Sequence, residues 1–192
     1  VIDTSGKTIL DVACGGGLPM QVLKEKIKFK FVHGVDLFKP YINECRRKGI
    51  HDSYSLADVR NLPFENKSFD IVIALQVLEH IRKDESLRVL DNLEKIAKKQ
   101  VIISMPIGRT FHPAVDGNRL QLHKSGFMPD ELIARGYKVI KMGRSEIEGI
   151  GGLIDRYQNG VWKKLIYSLI LLVNWLTYFI QPLANYYMVA YK

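Results

Sequence analysis

A glycine-rich turn with an acidic residue at its entrance is the feature of this sequence that most clearly suggests chemistry. Residues 11–17 read Asp-Val-Ala-Cys-Gly-Gly-Gly and follow an apolar run, so the turn would leave a buried strand. A nicotinamide dinucleotide site needs a third small residue three places after the second glycine, but the two possible registers place Met20 or Leu18 there. The carboxylate of Asp11 would repel a pyrophosphate and attract an ammonium group. The turn therefore favours an amino-acid-bearing nucleoside as ligand.

Two more acidic residues fit such a ligand. Asp36 ends the second predicted strand, where a carboxylate can accept both hydroxyls of a ribose. Asp58 follows the third predicted strand and is placed to accept from an exocyclic amine. A structural role stays open for both, because Asp36 could cap the helix that starts near Pro40 and Asp58 could cap a loop. We expect Asp36 to be poorly buried before a ligand arrives.

Four motifs, in this order and spacing, resemble the class I S-adenosylmethionine-dependent methyltransferases. The resemblance covers about residues 8–142, and the D-x-[GA]-x-G-x-G turn is typical of the small-molecule, type 11-like subgroup. It implies S-adenosylmethionine as cofactor and methyl transfer to a small molecule as the reaction. The resemblance also implies which residues bind the cofactor. The methionine part would contact Asp11, Ala13, Cys14, Gly15 and Gly17, and the ribose would contact Asp36 and Leu37. The adenine would lie between Asp58 and Val59, and the floor of the cofactor pocket would be lined by Leu75 and Gln76. The thiol of Cys14 is expected to pack, not to act as a nucleophile.

The histidines can be sorted by the end of the sheet at which they lie, because ligands in open α/β sheets bind beyond the carboxyl ends of the strands. His80 leaves the fourth strand at that end, and His123 lies in the loop after the fifth. If the reaction uses a general base, these two are the candidates, since imidazole titrates near neutral pH. A capping or packing role is the alternative for each. His33, inside strand two, and His51, before strand three, are predicted to be structural or solvated.

The loop between strand five and the next helix is the candidate acceptor site. A loop of about 20 residues inside a compact domain is usually functional. It leaves the correct end of the sheet and carries the predicted acceptor-binding residues Arg109, His112 and Asn118. No metal site is predicted, because the two cysteines, Cys14 and Cys45, show no metal-ligand spacing.

The elements that would position these groups alternate between strand and helix, which predicts parallel βαβ units. We predict strands at residues 8–12, 29–36, 53–57, 69–75, 101–105, 137–142 and 186–191. Helices are predicted at residues 20–26, 40–48, 86–99, 129–135 and 162–180. The expected fold is α/β, Rossmann-like, with a seven-stranded, mostly parallel sheet, helices on both faces and an antiparallel last strand paired with strand six.

Length and composition limit the other possibilities. The 192 residues favour one domain, with a core at 1–142 and a glycine-rich loop, an apolar helix and a final strand at 143–192 completing it. A hydrophobic content of 47% excludes a disordered chain. The net charge of +8 keeps a nucleic-acid methyltransferase open, but the chain lacks the Asn/Asp-Pro-Pro-Tyr/Phe tetrapeptide that would clamp a flipped base. A non-catalytic S-adenosylmethionine-binding protein is the other alternative. The two cysteines fit a reduced, cytoplasmic compartment.

The apolar helix predicted at 162–180 should cover the pocket or lie at an interface. Its apolar stretch has about 16 residues, whereas a membrane span needs roughly 20. Trp162, Lys163, Lys164 and Tyr167 resemble an aromatic and basic anchor at a membrane surface. We therefore expect a core helix, a homodimer contact or a peripheral membrane contact, and an acceptor that is apolar or lipid-like.

Overall fold

One sheet organises the protein. The computed structural model describes residues 7–110, 118–143 and 185–192, and within them seven strands share one sheet in the order β3-β2-β1-β4-β5-β7-β6. The strands are β1 (Thr8–Val12), β2 (Phe31–Asp36), β3 (Ser53–Leu56), β4 (Phe69–Leu75), β5 (Ala97–Pro106), β6 (Lys138–Gly143) and β7 (Asn185–Tyr191). Strands β1 to β5 pair in parallel, and β7 runs antiparallel to both β5 and β6. The predicted fold class is confirmed.

Both faces of the sheet are covered, because the central strands are apolar on both sides. Along β4, consecutive residues from Ile71 to Ala74 are all buried, the pattern of a parallel strand between two layers of helices. One face packs against α3 (Lys83–Ile96) and α4 (Pro129–Ala134). The other packs against α1 (Leu18–Lys26) and α2 (Lys39–Lys48).

Local sequence signals set most of the helix ends. Proline lies in the first turn of α1, α2 and α4, where its missing N–H removes no hydrogen bond. Gly49 ends α2 in the left-handed conformation, with φ of 64°, and its N–H donates to the carbonyl of Arg46. Three one-turn 3-10 helices, Val59–Asn61, Leu78–His80 and Arg119–Gln121, were not predicted.

Two predicted boundaries are wrong because strand pairing overrides helix propensity. The third helix ends at Ile96, not Lys99, and β5 starts at Ala97, which pairs with Phe69 of β4. The last strand pairs with β6 as predicted, but it also pairs with β5 and so lies between them.

No helix in the described ranges 7–110, 118–143 and 185–192 is both long and apolar enough to cross a membrane. The helix predicted at 162–180, with its proposed dimer or membrane contact, lies outside those ranges. Most of the segment 143–160 lies outside them too.

Candidate functional site

A cavity opens at the carboxyl ends of the parallel strands, on the side where the sequence predicts the ligand. Of the residues predicted to bind cofactor or acceptor, those lining it are Ala13, Gly15, Asp36, Leu37, Asp58, Val59, Gln76, His80 and Asn118. The predicted cofactor residues Asp11, Cys14, Gly17 and Leu75 are described but lie outside the lining. The cavity therefore gathers residues from β1 and β2 and from the segments that directly follow β3 and β4, as a ligand at this edge would require.

The turn after β1 has a left-handed backbone at three positions. Ala13, Gly15 and Gly17 have φ of 52°, 54° and 79°. The N–H of Cys14 donates to the carbonyl of Val35 at 3.0 Å, which ties the turn to β2. Because glycine adopts positive φ without steric cost, Ala13 is the strained member of the turn.

Asp36 holds the turn in place and faces the cavity. Its Oδ2 accepts from the N–H of Gly15 at 2.9 Å, and its Oδ1 accepts from the N–H of Phe38 at 2.7 Å. The side chain is buried, which corrects the expectation of a poorly buried carboxylate, and burial raises its pKa. Phe38 is the N-cap residue of α2 and that helix has no side-chain cap hydrogen bond, so Asp36 holds the chain before the helix but does not cap it as the alternative predicted.

Asp58 caps a short turn and is paired with a cation that the sequence did not single out. Its Oδ1 accepts from the N–H of Arg60 at 2.9 Å, and its Oδ2 lies 2.6 Å from Nη2 of the Arg60 guanidinium. Hydrogen bonds from that guanidinium lower the pKa of Asp58. Arg60 also reaches Glu85 at 3.3 Å and lines the cavity with both acids. The carboxylate thus stays ionised beside the cavity.

Asp11 contacts His51 and not the cavity. Nε2 of His51 lies 2.8 Å from Oδ2 of Asp11, and both side chains are buried. Burial raises the pKa of Asp11. The ring fits because β2 has a glycine beside it: a Cβ on Gly34 would lie 2.9 Å from Cγ of His51. His51 therefore has a structural role, as predicted. It is buried, and its ring contacts Asp11 at the start of the glycine-rich turn.

The two candidate bases lie side by side. The ring centroids of His80 and His123 are 4.9 Å apart, in an edge-to-face arrangement. Nδ1 of His123 lies 2.8 Å from Oγ1 and 3.1 Å from the carbonyl oxygen of Thr110. Since a carbonyl can only accept, Nδ1 carries a proton in that bond, which leaves the lone pair of the neutral ring on Nε2.

Backbone hydrogen bonds explain how these histidines meet. The N–H groups of Lys124 and Ser125 donate to the carbonyl of Glu79 at 2.7 and 3.1 Å. Ser125 Oγ donates to the carbonyl of Leu78 at 3.1 Å. The loop after β5 is thereby fastened to the 3-10 turn after β4, one residue away from each histidine.

Glu79 is a buried acid in this site that sequence reasoning missed. It is 1% exposed, and burial raises its pKa to about 8. With the amide of Gln76 oriented to accept from Ser104, its nitrogen donates to Oε1 of Glu79 at 3.2 Å. Among the described residues, Oε2 of Glu79 has no hydrogen-bond partner. An acid next to His80 in an otherwise apolar segment was the available sequence signal.

Potential ligand atoms of Glu79, His80 and His123 all lie within 4.8 Å of one another. A second such group, in the part of the chain that the structure describes, consists of Cys14, Cys45 and His51. Glu79 and His80 are adjacent in sequence but His123 is distant from them, and Cys14, Cys45 and His51 are all widely spaced, so linear spacing alone does not reveal either group as a ligand set.

The three predicted acceptor-binding residues separate in the structure. Asn118 is buried and lines the cavity, where its Oδ1 accepts from the N–H of Leu120 at 3.0 Å. Arg109 is exposed and lies outside the lining. His112 lies outside the described residues. Of the three, Asn118 is the one that the structure brings to the cavity.

Comparison of the sequence with protein families matches residues 10–105 to the family described as "Methyltransferase domain". The ubiquinone biosynthesis O-methyltransferase of Coxiella burnetii is 28% identical over 121 residues, which are 61% of this chain and 47% of that protein. Phthiotriol/phenolphthiotriol dimycocerosates methyltransferase 1 of Mycobacterium ulcerans is 34% identical over 79 residues, covering 39% of this chain and 28% of that protein. The chain spans about half the length, or less, of these curated relatives.

Among solved structures, phosphoethanolamine N-methyltransferase 2 of Haemonchus contortus, in complex with S-adenosyl-L-methionine, is similar with a TM-score of 0.64. The match covers 99% of this chain and 49% of that chain at 18% identity. At that identity the similarity shows the fold alone.

Proposed function

Because this chain belongs to the methyltransferase domain family, we propose that it binds S-adenosylmethionine and transfers the methyl group to a small-molecule acceptor. The observation that carries the proposal is a single cavity that combines the left-handed turn at Gly15 with the carboxylates of Asp36 and Asp58. A nucleoside needs acceptors for its hydroxyls and its exocyclic amine. These two carboxylates offer such acceptors at the ends of neighbouring strands.

The residues around the turn fit a nucleoside that carries an amino-acid chain. A Cβ on Gly15 would meet no atom of the described residues within 4 Å, so a ligand can approach the backbone there. Each carboxylate oxygen of Asp36 accepts one N–H and keeps a second acceptor position. Asp36 would therefore hold the ribose, and Asp58 and Val59 would frame the adenine.

The contribution of the protein to the reaction is alignment and exclusion of water. When bound, S-adenosylmethionine supplies a methyl group on a sulfonium, which is already an activated electrophile. The chain then has to bring an acceptor in line with that methyl group and keep the site dry. Apolar side chains of Val77, Ile81 and Leu120 line the cavity beside the histidines and would contact an apolar acceptor.

We assign the role of general base to His123, with His80 beside it. Thr110 fixes the proton on Nδ1 of His123, so Nε2 is the atom that would take a proton from an acceptor hydroxyl. Glu79 is buried next to both rings and, with its raised pKa, is neutral at pH 7. A neutral acid adds no negative charge that would hold His123 in its protonated form.

The acceptor class that fits best is a hydroxyl group on an apolar, lipid-like molecule. Support comes from the apolar part of the cavity and from the names of two relatives, an O-methyltransferase of ubiquinone biosynthesis and a methyltransferase of phthiotriol dimycocerosates. A peripheral membrane contact through residues 162–180 would bring the cavity near such molecules.

An acceptor panel tests the proposal. The protein is incubated with S-adenosylmethionine labelled in its methyl group, together with hydroxylated apolar molecules and matched water-soluble molecules. We expect label in an apolar product and one S-adenosylhomocysteine per methyl group transferred. Binding of S-adenosylmethionine without transfer to any acceptor would contradict catalysis and favour a binding protein.

A further inference from the structure

Two thiols and an imidazole converge beside the glycine-rich turn, outside the lining of the cavity. Cys14 belongs to the turn, Cys45 to the middle of α2, and His51 to the loop between α2 and β3. All three side chains are buried, with exposed fractions of 5%, 0% and 5%. None of the three lines the cavity at the carboxyl ends of the strands.

The three ligand atoms are close enough to share one ion. The sulfur atoms of Cys14 and Cys45 and a ring nitrogen of His51 all lie within 4.8 Å of one another. Zinc bonds of about 2.3 Å to sulfur and about 2.0 Å to nitrogen place tetrahedral ligand atoms roughly 3.5–3.8 Å apart. The ligand atoms would therefore need to close by at most roughly 1 Å on binding an ion.

Glycines make room for these side chains. A Cβ on Gly17 would lie 2.8 Å from Sγ of Cys45, and a Cβ on Gly34 would lie 2.9 Å from Cγ of His51. Real Cβ atoms essentially never approach other atoms so closely, so Cys45 and His51 each pack against a position that only glycine can fill without a shift.

His51 already has the partner that metal-bound histidines use. Its Nε2 lies 2.8 Å from Oδ2 of Asp11, and a carboxylate on one ring nitrogen fixes the tautomer and orientation of the other. With the proton on Nε2, Nδ1 holds a lone pair. Nδ1 of His51 is buried and has no hydrogen-bond partner among the residues that the structure describes. An ion would satisfy this buried atom.

We propose that Cys14, Cys45 and His51 bind one zinc ion, with Asp11 as the carboxylate that orients the imidazole. Two sulfur ligands and one nitrogen ligand suit a soft or borderline-soft d10 ion, and the hard cations calcium and magnesium prefer oxygen. On binding, two S–H bonds break, two Zn–S bonds form, and the protons pass to solvent. The Sγ of Cys45, which now donates to the carbonyl of Gly15 at 3.1 Å, would bind the ion instead.

The ion would fasten the turn to α2. Gly15 sits between Cys14 and the glycines that follow, and its N–H contacts Asp36. A cross-link from Cys14 to Cys45 and His51 would restrict this turn without touching the ligand in the cavity. The expected consequence is higher thermal stability of the loaded protein, since an ion that binds only the folded state shifts the folding equilibrium.

Metal titration of the reduced, chelator-treated protein tests the site. We expect one equivalent of zinc to bind with a rise in melting temperature, and cobalt in its place to give the charge-transfer absorption of a thiolate-bound ion. Cys14→Ser and Cys45→Ser should each lower zinc affinity by at least 100-fold, and Asp11→Asn by about 10- to 100-fold. His33→Gln serves as the matched control, because His33 contacts Ser53 and Ser55 on the sheet and should keep full zinc affinity.

Either of two results would overturn the assignment. One is a wild-type protein that binds less than half an equivalent of zinc, or whose cobalt complex shows no thiolate absorption. The other is unchanged zinc affinity in Cys45→Ser. The first result needs no variant, so the test stands even if a cysteine substitution prevents folding.

Discussion

His80 and His123 are in ring contact, with centroids 4.9 Å apart, although they follow different strands of the sheet. The carbonyl of Glu79, which accepts from both Lys124 and Ser125, holds the two segments together. His80 lines the cavity that contains the turn and Asp36, whereas His123 lies outside that lining and contacts His80 from beside it. In the proposed reaction, the turn and Asp36 would form the cofactor half of the site, and the two histidines would form the proton-accepting half.

His123→Ala should therefore lower turnover and leave cofactor affinity unchanged. Loss of a general base typically costs about 10²- to 10⁴-fold in rate, whereas the affinity for S-adenosylmethionine should stay within about twofold because His123 does not line the cavity at the turn. Steady-state rates with the best acceptor and calorimetric titration of the cofactor measure the two effects. His33→Gln is the histidine control. A loss of cofactor affinity with a normal rate would show that His123 belongs to the cofactor half.

Asp36→Asn should weaken cofactor binding and also lower stability. Charged hydrogen bonds contribute about 1.5–3 kcal/mol, so binding should weaken roughly 10- to 150-fold. Stability falls too because the carboxylate accepts from the N–H groups of Gly15 and Phe38. Calorimetry and urea unfolding measure the two quantities, with Asp84→Asn, at an exposed acid, as control. Unchanged cofactor affinity in folded Asp36→Asn would refute the ribose assignment.

Glu79 should make the protein less stable as the pH rises from about 5 to 8. Burial raises its pKa from 4.5 to about 8, so in this range the folded state keeps a proton that the unfolded state has lost. The resulting slope is at most about −1.4 kcal/mol of unfolding free energy per pH unit. Glu79→Gln keeps the shape and removes the titration. Urea unfolding at several pH values should show a flatter profile for the variant, and identical slopes would mean that Glu79 is ionised in the folded protein.

Ala13→Gly should stabilise the protein, contrary to the usual effect of a glycine. Ala13 has φ of 52°, a conformation that costs an L-residue about 1–2 kcal/mol, and glycine avoids most of that cost while losing about 0.5–1 kcal/mol in chain entropy. The net gain in unfolding free energy should be up to about 1 kcal/mol. Ala57→Gly is the control, because Ala57 has no positive φ and should lose stability. If Ala13→Gly lost as much stability as Ala57→Gly, the conclusion that the backbone at Ala13 is strained would be contradicted.

The sequence was informative wherever a local signal determined the structure. Strand β4 occupies the predicted residues 69–75, since its apolar run from Ile71 to Leu75 is most stable in the middle of a sheet that is covered on both faces. Sorting the histidines by the ends of their strands was enough to bring His80 and His123 to the same edge. The helical periodicity wrongly predicted that the third helix continues through Ala97, because pairing with Phe69 places Ala97 in β5.

The contacts that the sequence did not predict are those that depend on exact packing. Arg60 binds Asp58 because a one-turn helix folds the side chain back, and no pattern marks that turn. His51 reaches Asp11 across Gly34, so the pair depends on strand register. Cys14 lies close to Cys45 because α2 packs against the turn, where Sγ of Cys45 donates to the carbonyl of Gly15. A spacing rule for metal ligands along the chain cannot detect such a group.

Calorimetric titration of the protein with S-adenosylmethionine and, separately, with NAD tests the central claim most directly. We expect S-adenosylmethionine to bind at one site per chain, Asp36→Asn to weaken this binding at least tenfold, and NAD to produce no heat of binding. Binding of NAD without binding of S-adenosylmethionine would contradict it.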